Sequence, residues 1–143
     1  MQQLSELISR RESWLMDRTI HYAKLYGYTP YTSTLAEAWR ASICGLSEPL
    51  IEALAHYAEP PQLLVSEGDY AQDPITNFGI KSARLHRSRG ITLGLFLGLM
   101  KYYRQSYLDL LDLGDLPHEH LPRYREFINR FFDRVEIGFC SEW

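Results

Sequence analysis

His86 is the residue of this sequence whose chemistry is most suggestive. It falls on the predicted inner face of a helix that begins at Asp73-Pro74 and ends in an arginine-rich turn. Imidazole ligates metals and titrates near neutral pH, so an axial haem ligand and a pH-sensitive switch both fit. A histidine that hydrogen-bonds a neighbouring helix also fits, and the pattern favours it, because no second histidine stands at metal-pair spacing. We therefore predict no metal site and no cofactor, with haem on His86 as the alternative.

A second set of candidate residues comes from a polar run inside an apolar helix. Tyr103, Arg104 and Tyr107 follow a long apolar segment, and Glu136 lies on the last predicted helix. Buried polar groups need hydrogen-bond partners, so Arg104 is predicted to pair with Glu136 or Asp133. The four residues can form a polar pocket for a small anion, or Arg104 and its carboxylates can form an internal ion-pair network. The pattern favours the network.

Catalytic signatures are missing from the sequence. It has no Gly-x-Ser-x-Gly elbow, no phosphate-binding loop and no dinucleotide fingerprint. Neither Cys44 nor Cys140 has a histidine close by in sequence. We therefore predict that the chain has no catalytic residues and is not an enzyme.

Charge and hydropathy narrow the class of partner. The net charge of −3 gives no sequence-wide basic field, so we predict no nucleic-acid partner. The segment 1–11 is polar, and the longest apolar run, 91–100, is about half of the ~20 residues that a membrane helix requires. These features predict a cytoplasmic protein without a membrane partner.

Helical periodicity extends over almost the whole chain, and no segment alternates as a strand would. The sequence therefore predicts a single all-α domain over residues 1–143, a bundle of about six helices of which a globin-like arrangement is one form. The predicted helices are 4–26, 35–45, 48–59, 74–89, 93–112 and 121 onward. The first half of the fifth is apolar on every side, which is typical of a fully surrounded helix.

The final helix carries two apolar strips. Phe139 belongs to the main strip, whereas Phe132 and Trp143 fall beside it on a second one. A helix with two apolar strips needs two partners, so the sequence predicts a homodimer with Phe132, Phe139 and Trp143 in its interface. The helix has no stop signal, which fits either a fragment continuing into another module or a frayed terminus.

Several segments resemble known bacterial signalling domains. The helix start Asp73-Pro74-Ile75-Thr76-Asn77-Phe78-Gly79 is similar to the Asp-Pro-x-x-Asn-x-x-Gly start in the N-terminal domain of RsbT co-antagonist (stressosome RsbR-like) proteins, with the glycine one position earlier. The segments 28–34, 38–40 and 131–136 resemble input domains of bacterial sensor histidine kinases.

The resemblance implies an all-helical sensory module, often dimeric, that passes a signal to a C-terminal output domain. It supplies no ligand residues, and the phosphoacceptor and ATP-binding motifs of the kinases are not present. We therefore predict a signal-input domain of a protein such as a sensor histidine kinase. The alternative is a globin-like protein that binds haem or another small ligand.

Overall fold

The computed structural model describes residues 1–63 and 67–143, and this part of the chain is helical with no strand. This confirms the predicted all-α fold. Six of the helices in these ranges are longer than four residues, which agrees with the predicted bundle of about six. The helices are α1 (Gln2–Arg10), α2 (Glu12–Leu25), α3 (Ala36–His56), α4 (Glu67–Tyr70), α5 (Pro74–Ser88), α6 (Leu93–Leu110) and α7 (Leu121–Glu142). Within the described ranges, none of them is long and apolar enough to cross a membrane.

Two helix starts follow the capping rules of the sequence. The Asp73 carboxylate accepts a hydrogen bond from the Thr76 N–H at 2.9 Å, and Pro74 occupies the first turn of α5. The Thr92 hydroxyl accepts one from the Leu95 N–H at the start of α6. Both predicted starts are therefore confirmed. The predicted irregular segment 62–72 lies partly outside the described residues, and α4 occupies its end.

The predicted first helix, 4–26, is two helices in the structure. Arg11 interrupts it with φ −107° and ψ 26°, outside the helical region. The interruption lets α1 and α2 follow different neighbours, because α1 packs on α3 whereas α2 packs on both α3 and α6. A continuous apolar pattern does not reveal such a bend.

The predicted break at Gly45–Pro49 is wrong, since α3 runs without interruption through Pro49. A proline inside a helix leaves the carbonyl four residues earlier without a donor and crowds it with its ring. That carbonyl belongs to Gly45, which is exposed and has no side chain, so water can reach the carbonyl. The buried stripe continues from Leu46 to Leu50 across the proline and keeps both halves on the same core.

The first half of α6 is not the fully surrounded helix that the sequence predicts. Only Phe96 and Met100 are buried between residues 91 and 100, and the leucines among them are half-exposed. The second half is buried through Tyr103, Tyr107 and Leu110. The apolar first half instead forms one wall of a cavity.

Helices α5 and α7 make the most extensive contact of the fold, and two glycines permit it. A Cβ on Gly79 would lie 2.2 Å from the Val135 carbonyl oxygen, and a Cβ on Gly138 would lie 2.2 Å from the Thr76 carbonyl oxygen. Both distances are far below van der Waals contact, so a side chain at either position would force the helices apart.

A buried ion pair adds to this contact. The Arg134 guanidinium on α7 lies 2.9 Å from the Asp73 carboxylate, and both side chains are less than a tenth exposed. Arg134 also donates to the Gln62 carbonyl at 2.6 Å and to the Tyr57 hydroxyl at 3.3 Å. The carboxylate that caps α5 therefore also fixes the position of α7.

Candidate ligand-binding site

A cavity of about 550 Å³ opens between α3, α5, α6 and the segment 28–33, with Phe139 of α7 also lining it. We call it the apolar pocket. Its volume falls within the range of about 300–1,000 Å³ that is typical of small-molecule sites. Most of its surface is carbon, supplied by Trp39, Phe78, Leu95, Phe96, Leu99 and Met100 among others.

The polar groups of the apolar pocket are few. Among the described residues that line it, Arg89 is the one lysine or arginine, and none is an aspartate or glutamate. His86 lines it as well, and its Nδ1 lies 2.7 Å from the Ser82 carbonyl oxygen. Because a carbonyl only accepts, this bond requires a proton on Nδ1, so Nε2 is the ring nitrogen that can face a ligand. Tyr103 lies against Trp39, and burial raises the pKa of its phenol to about 12.

Phe96 connects the apolar pocket with the end of α7. Its ring stacks on the His86 ring with 4.3 Å between the centroids. On another side it lies 4.4 Å from the Phe139 ring and 5.4 Å from the Trp143 ring, again between centroids. The Phe96 ring therefore connects the pocket lining to the last turn of α7.

Gly98 makes room for one wall of the pocket. The sequence places Gly94 and Gly98 one helical turn apart on α6, a spacing that fits a close helix crossing or a flat cofactor. The structure places the Tyr28 hydroxyl over Gly98, where a Cβ would lie 2.1 Å from it, and leaves open space beside Gly94. Neither a helix nor a cofactor is needed to explain Gly98, because Tyr28 fills the space.

The anion pocket predicted from Tyr103, Arg104, Tyr107 and Glu136 is not formed. Tyr103 lines the apolar pocket, whereas Tyr107 is fully buried and its hydroxyl lies 2.6 Å from the Ser47 hydroxyl. Burial raises the pKa of Tyr107 as well. Arg104 and Glu136 do not line the apolar pocket. They form an ion pair with each other, so each charge already has a partner.

The predicted pairing of Arg104 is confirmed. Its guanidinium lies 2.9 Å from the Asp133 carboxylate and 3.0 Å from that of Glu136. Glu136 is also 2.6 Å from the Lys101 ammonium, so one carboxylate serves two cations. The Arg104 side chain is 16% exposed and the Glu136 side chain 12%, which makes this a shielded network that links α6 to α7.

The predicted dimer interface needs a correction. Phe132 and Phe139 are fully buried within the chain, and Trp143 is half-buried against Phe96. The second apolar strip of α7 is therefore covered by the chain's own helices, as the contact between the Phe132 and Tyr107 rings illustrates. Dimer formation itself stays a prediction, but these three side chains do not provide an exposed surface for it.

Arg89 lines the pocket although it was not among the residues predicted for a site. Ser82, His86 and Arg89 follow each other at intervals of four and three residues, so the spacing aligns Arg89, the residue after α5, with the face that carries Ser82 and His86. Helical spacing from His86 was thus a signal for Arg89. No local pattern could show that Tyr28 and Trp39 form the opposite wall of the pocket, because they are far from His86 in the sequence.

Comparisons of the chain with protein-family models, with curated proteins and with solved structures give no match. The resemblance to RsbT co-antagonist proteins and sensor kinase input domains therefore stays a prediction.

Proposed function

We propose that this chain is a signal-input domain of a bacterial signal-transduction protein such as a sensor histidine kinase. In this proposal the apolar pocket binds a small ligand, and α7 carries the resulting change to a C-terminal output module or partner protein, in a homodimer. The observation that carries the proposal is the contact between a pocket residue, Phe96, and the end of α7 through Phe139 and Trp143.

The walls of the pocket support ligand binding. A cavity lined by aromatic and aliphatic side chains with a few polar groups is the usual form of a small-molecule site. Two of its lining residues, Tyr31 and Leu85, remain 64% and 50% exposed. A bound molecule would remove such apolar surface from water, and this supplies favourable binding energy.

The attachments of α7 support transmission. The middle of the helix is fixed to α5 at Gly79 and by Arg134, whereas its last turn touches the pocket wall and holds Glu142. Glu142 pairs with two exposed arginines of α5, Arg84 and Arg87. Exposed pairs of this kind contribute about 0–1 kcal/mol each, so the Glu142 pairs themselves add little resistance to a shift of the last turn.

A thermal-shift screen of small apolar and aromatic compounds tests the proposal, with Ser42→Trp as the pocket-filling variant. Ser42 lines the pocket from an exposed position, so its replacement adds bulk there, although it also removes the hydroxyl that bonds Tyr103. Glu52→Trp adds the same bulk to an exposed position of α3 outside the pocket lining. A ligand at 100 times its Kd should stabilise the wild type and Glu52→Trp by about 2.7 kcal/mol, and Ser42→Trp much less.

Hydrogen exchange then tests the transmission step. With a pocket ligand bound, the backbone amides of residues 139–143 should change their exchange rates, while those near Gly79 should not. Ligands that stabilise Ser42→Trp as well as the wild type would contradict the binding site. Binding without any change in the last turn of α7 would contradict the signalling role.

Haem binding is the second candidate, and the His86 hydrogen bond favours it. Histidines that ligate metals almost always donate their other ring N–H to a carboxylate, carbonyl or water, as His86 Nδ1 does to Ser82. Nε2 would hold the iron, and Arg89 would neutralise a haem carboxylate. Haem would supply redox and gas-binding chemistry. A Soret band on adding haem, lost in His86→Ala, would support this function, and no Soret band would exclude it.

A further inference from the structure

Resting on the proposed ligand-binding function, we propose that the ligand of the apolar pocket is a small apolar acid, a ring or chain of carbon with one carboxylate. Arg89 would pair with the carboxylate, and the aromatic walls would enclose the rest. The juxtaposition that carries this is a mostly apolar cavity whose described lining includes one arginine and no aspartate or glutamate.

Charge complementarity is the first step. Three arginines, Arg84, Arg87 and Arg89, occupy the end of α5 or follow it directly. The Glu142 carboxylate forms ion pairs with the guanidinium groups of Arg84, at 2.9 Å, and Arg87, at 3.2 Å. Arg89, the one that lines the pocket, makes no ion pair with any residue in the described parts of the chain. Its guanidinium has five donors and matches a carboxylate in a bidentate geometry.

The start of α6 contributes to the same preference. Ile91 and Leu95 line the pocket on either side of the first turn of this 18-residue helix. The amino end of a helix carries a partial positive charge and favours anions nearby. This partial charge adds to the positive charge of Arg89, although the carboxyl end of α5, which Arg89 caps, offsets part of it.

The remaining lining limits the ligand to one charged group. Past Arg89, the polar groups of the described lining are the His86 imidazole and hydroxyl groups such as those of Ser82 and Tyr103. Burial holds Tyr103 in its protonated form, because it raises the pKa of the phenol to about 12. A second anionic group on the ligand would be buried without a partner, which is costly. A cationic ligand would meet Arg89 with no carboxylate to offset the repulsion.

Calorimetric titration of the full chain with a matched pair of probes tests this inference. The probes are 2-naphthoate and 2-naphthalenemethanol, which share a ring system and differ in the acidic group. Wild-type protein should bind the acid roughly five-fold more tightly than the alcohol, the upper value for a partly exposed ion pair. Arg89→Gln should bind both probes equally.

Arg84→Gln is the control, because it removes the same charge from α5 outside the pocket and leaves Glu142 paired with Arg87. It should keep the preference for the acid. Equal affinity for the two probes in the wild type, no binding of either probe, or a preference that survives Arg89→Gln would overturn the inference.

Ser42→Trp separates this failure from failure of the proposed function. Should both probes bind equally to the wild type and lose affinity in Ser42→Trp, the pocket binds ligands and only the acid preference is wrong. Should both bind Ser42→Trp as tightly as the wild type, neither occupies the pocket, and the binding site itself is wrong.

Discussion

Replacing Arg134 by methionine should be among the most damaging single changes in this chain. The substitution keeps a long apolar stem but removes the guanidinium that pairs with Asp73 at 2.9 Å. It also removes the bonds to the Gln62 carbonyl and the Tyr57 hydroxyl. The Asp73 carboxylate keeps Thr76 as a partner but loses its one neutralising charge while remaining buried.

The expected loss follows from burial. Removing one member of a buried ion pair costs about 3–5 kcal/mol, because the other charge stays desolvated. A domain of this length loses roughly 3–4 °C of melting temperature per kcal/mol, so Arg134→Met should melt about 10–20 °C lower. The control is Arg11→Met, since Arg11 pairs with Asp115 at 2.9 Å but the side chains are 40% and 30% exposed. That variant should lose at most about 1 kcal/mol.

Urea denaturation with the double variant Arg134→Met/Asp73→Asn identifies the cause. Asparagine is as good an N-cap as aspartate and carries no charge, so the double variant should be more stable than Arg134→Met alone. A loss in Arg134→Met no larger than that in Arg11→Met would refute the buried pair. A double variant less stable than the single one would show that the loss comes from packing rather than from an unpaired charge.

Three further predictions concern the contacts around α6 and α7. Gly79→Ala should lose about 1–3 kcal/mol by pushing the helices apart, whereas Gly94→Ala, which meets open space, should lose nothing in the same urea titration. Arg104→Ala should lower the free energy of unfolding by about 1–3 kcal/mol. This is less than the loss from breaking a fully buried ion pair, because Lys101 still neutralises Glu136. An unchanged melting temperature would contradict the network. Burial raises the pKa of Tyr103 from about 10 in the unfolded chain to about 12. The contribution of Tyr103 to the free energy of unfolding is therefore fully present below about pH 10 and falls by about 1.4 kcal/mol per pH unit between about 10 and 12. Tyr103→Phe should remove that component of the slope, measured by denaturation at a series of alkaline pH values, and an unchanged slope would contradict its burial.

Helix starts and the fold class were predictable because local chemistry decides them. Asp73 and Thr92 each accept a hydrogen bond from an N–H three residues later, a relation contained in the sequence itself. The predicted break before Pro49 shows the limit of such local rules. The stripe through Leu46, Leu50 and Leu54 keeps helical spacing across the proline, and tertiary packing of that stripe outweighs the missing hydrogen bond.

The candidate site was only partly predictable, because its walls meet through the tertiary fold. His86 and Tyr103 were candidates from their own chemistry, and both line the pocket. Nothing local could show that Tyr103 faces Trp39 while Arg104, the next residue, turns to Asp133. Successive residues on a helix point about 100° apart, so a run of polar residues does not imply a common site.

The second apolar strip of α7 shows how a correct pattern led to a wrong interface. Two strips do require two partners, but both partners are helices of the same chain. The α5 crossing at Gly79 and Gly138 brings backbones together and turns the Phe132 side of α7 toward Tyr107 on α6. Small residues at a crossing are therefore better evidence for an intramolecular partner than an apolar strip is for a dimer.

The same crossing limits which motion α7 can make. A helix fixed by backbone contact at Gly138 and by a buried ion pair at Arg134 cannot slide or tilt at its middle without losing several kcal/mol. Beyond Gly138, the attachments include the buried Phe139 ring, the contacts of Phe139 and Trp143 with Phe96, and the bonds of Arg84 and Arg87 to Glu142. We therefore expect a pocket ligand to act on α7 by moving or reordering its last turn rather than by a piston shift of the whole helix.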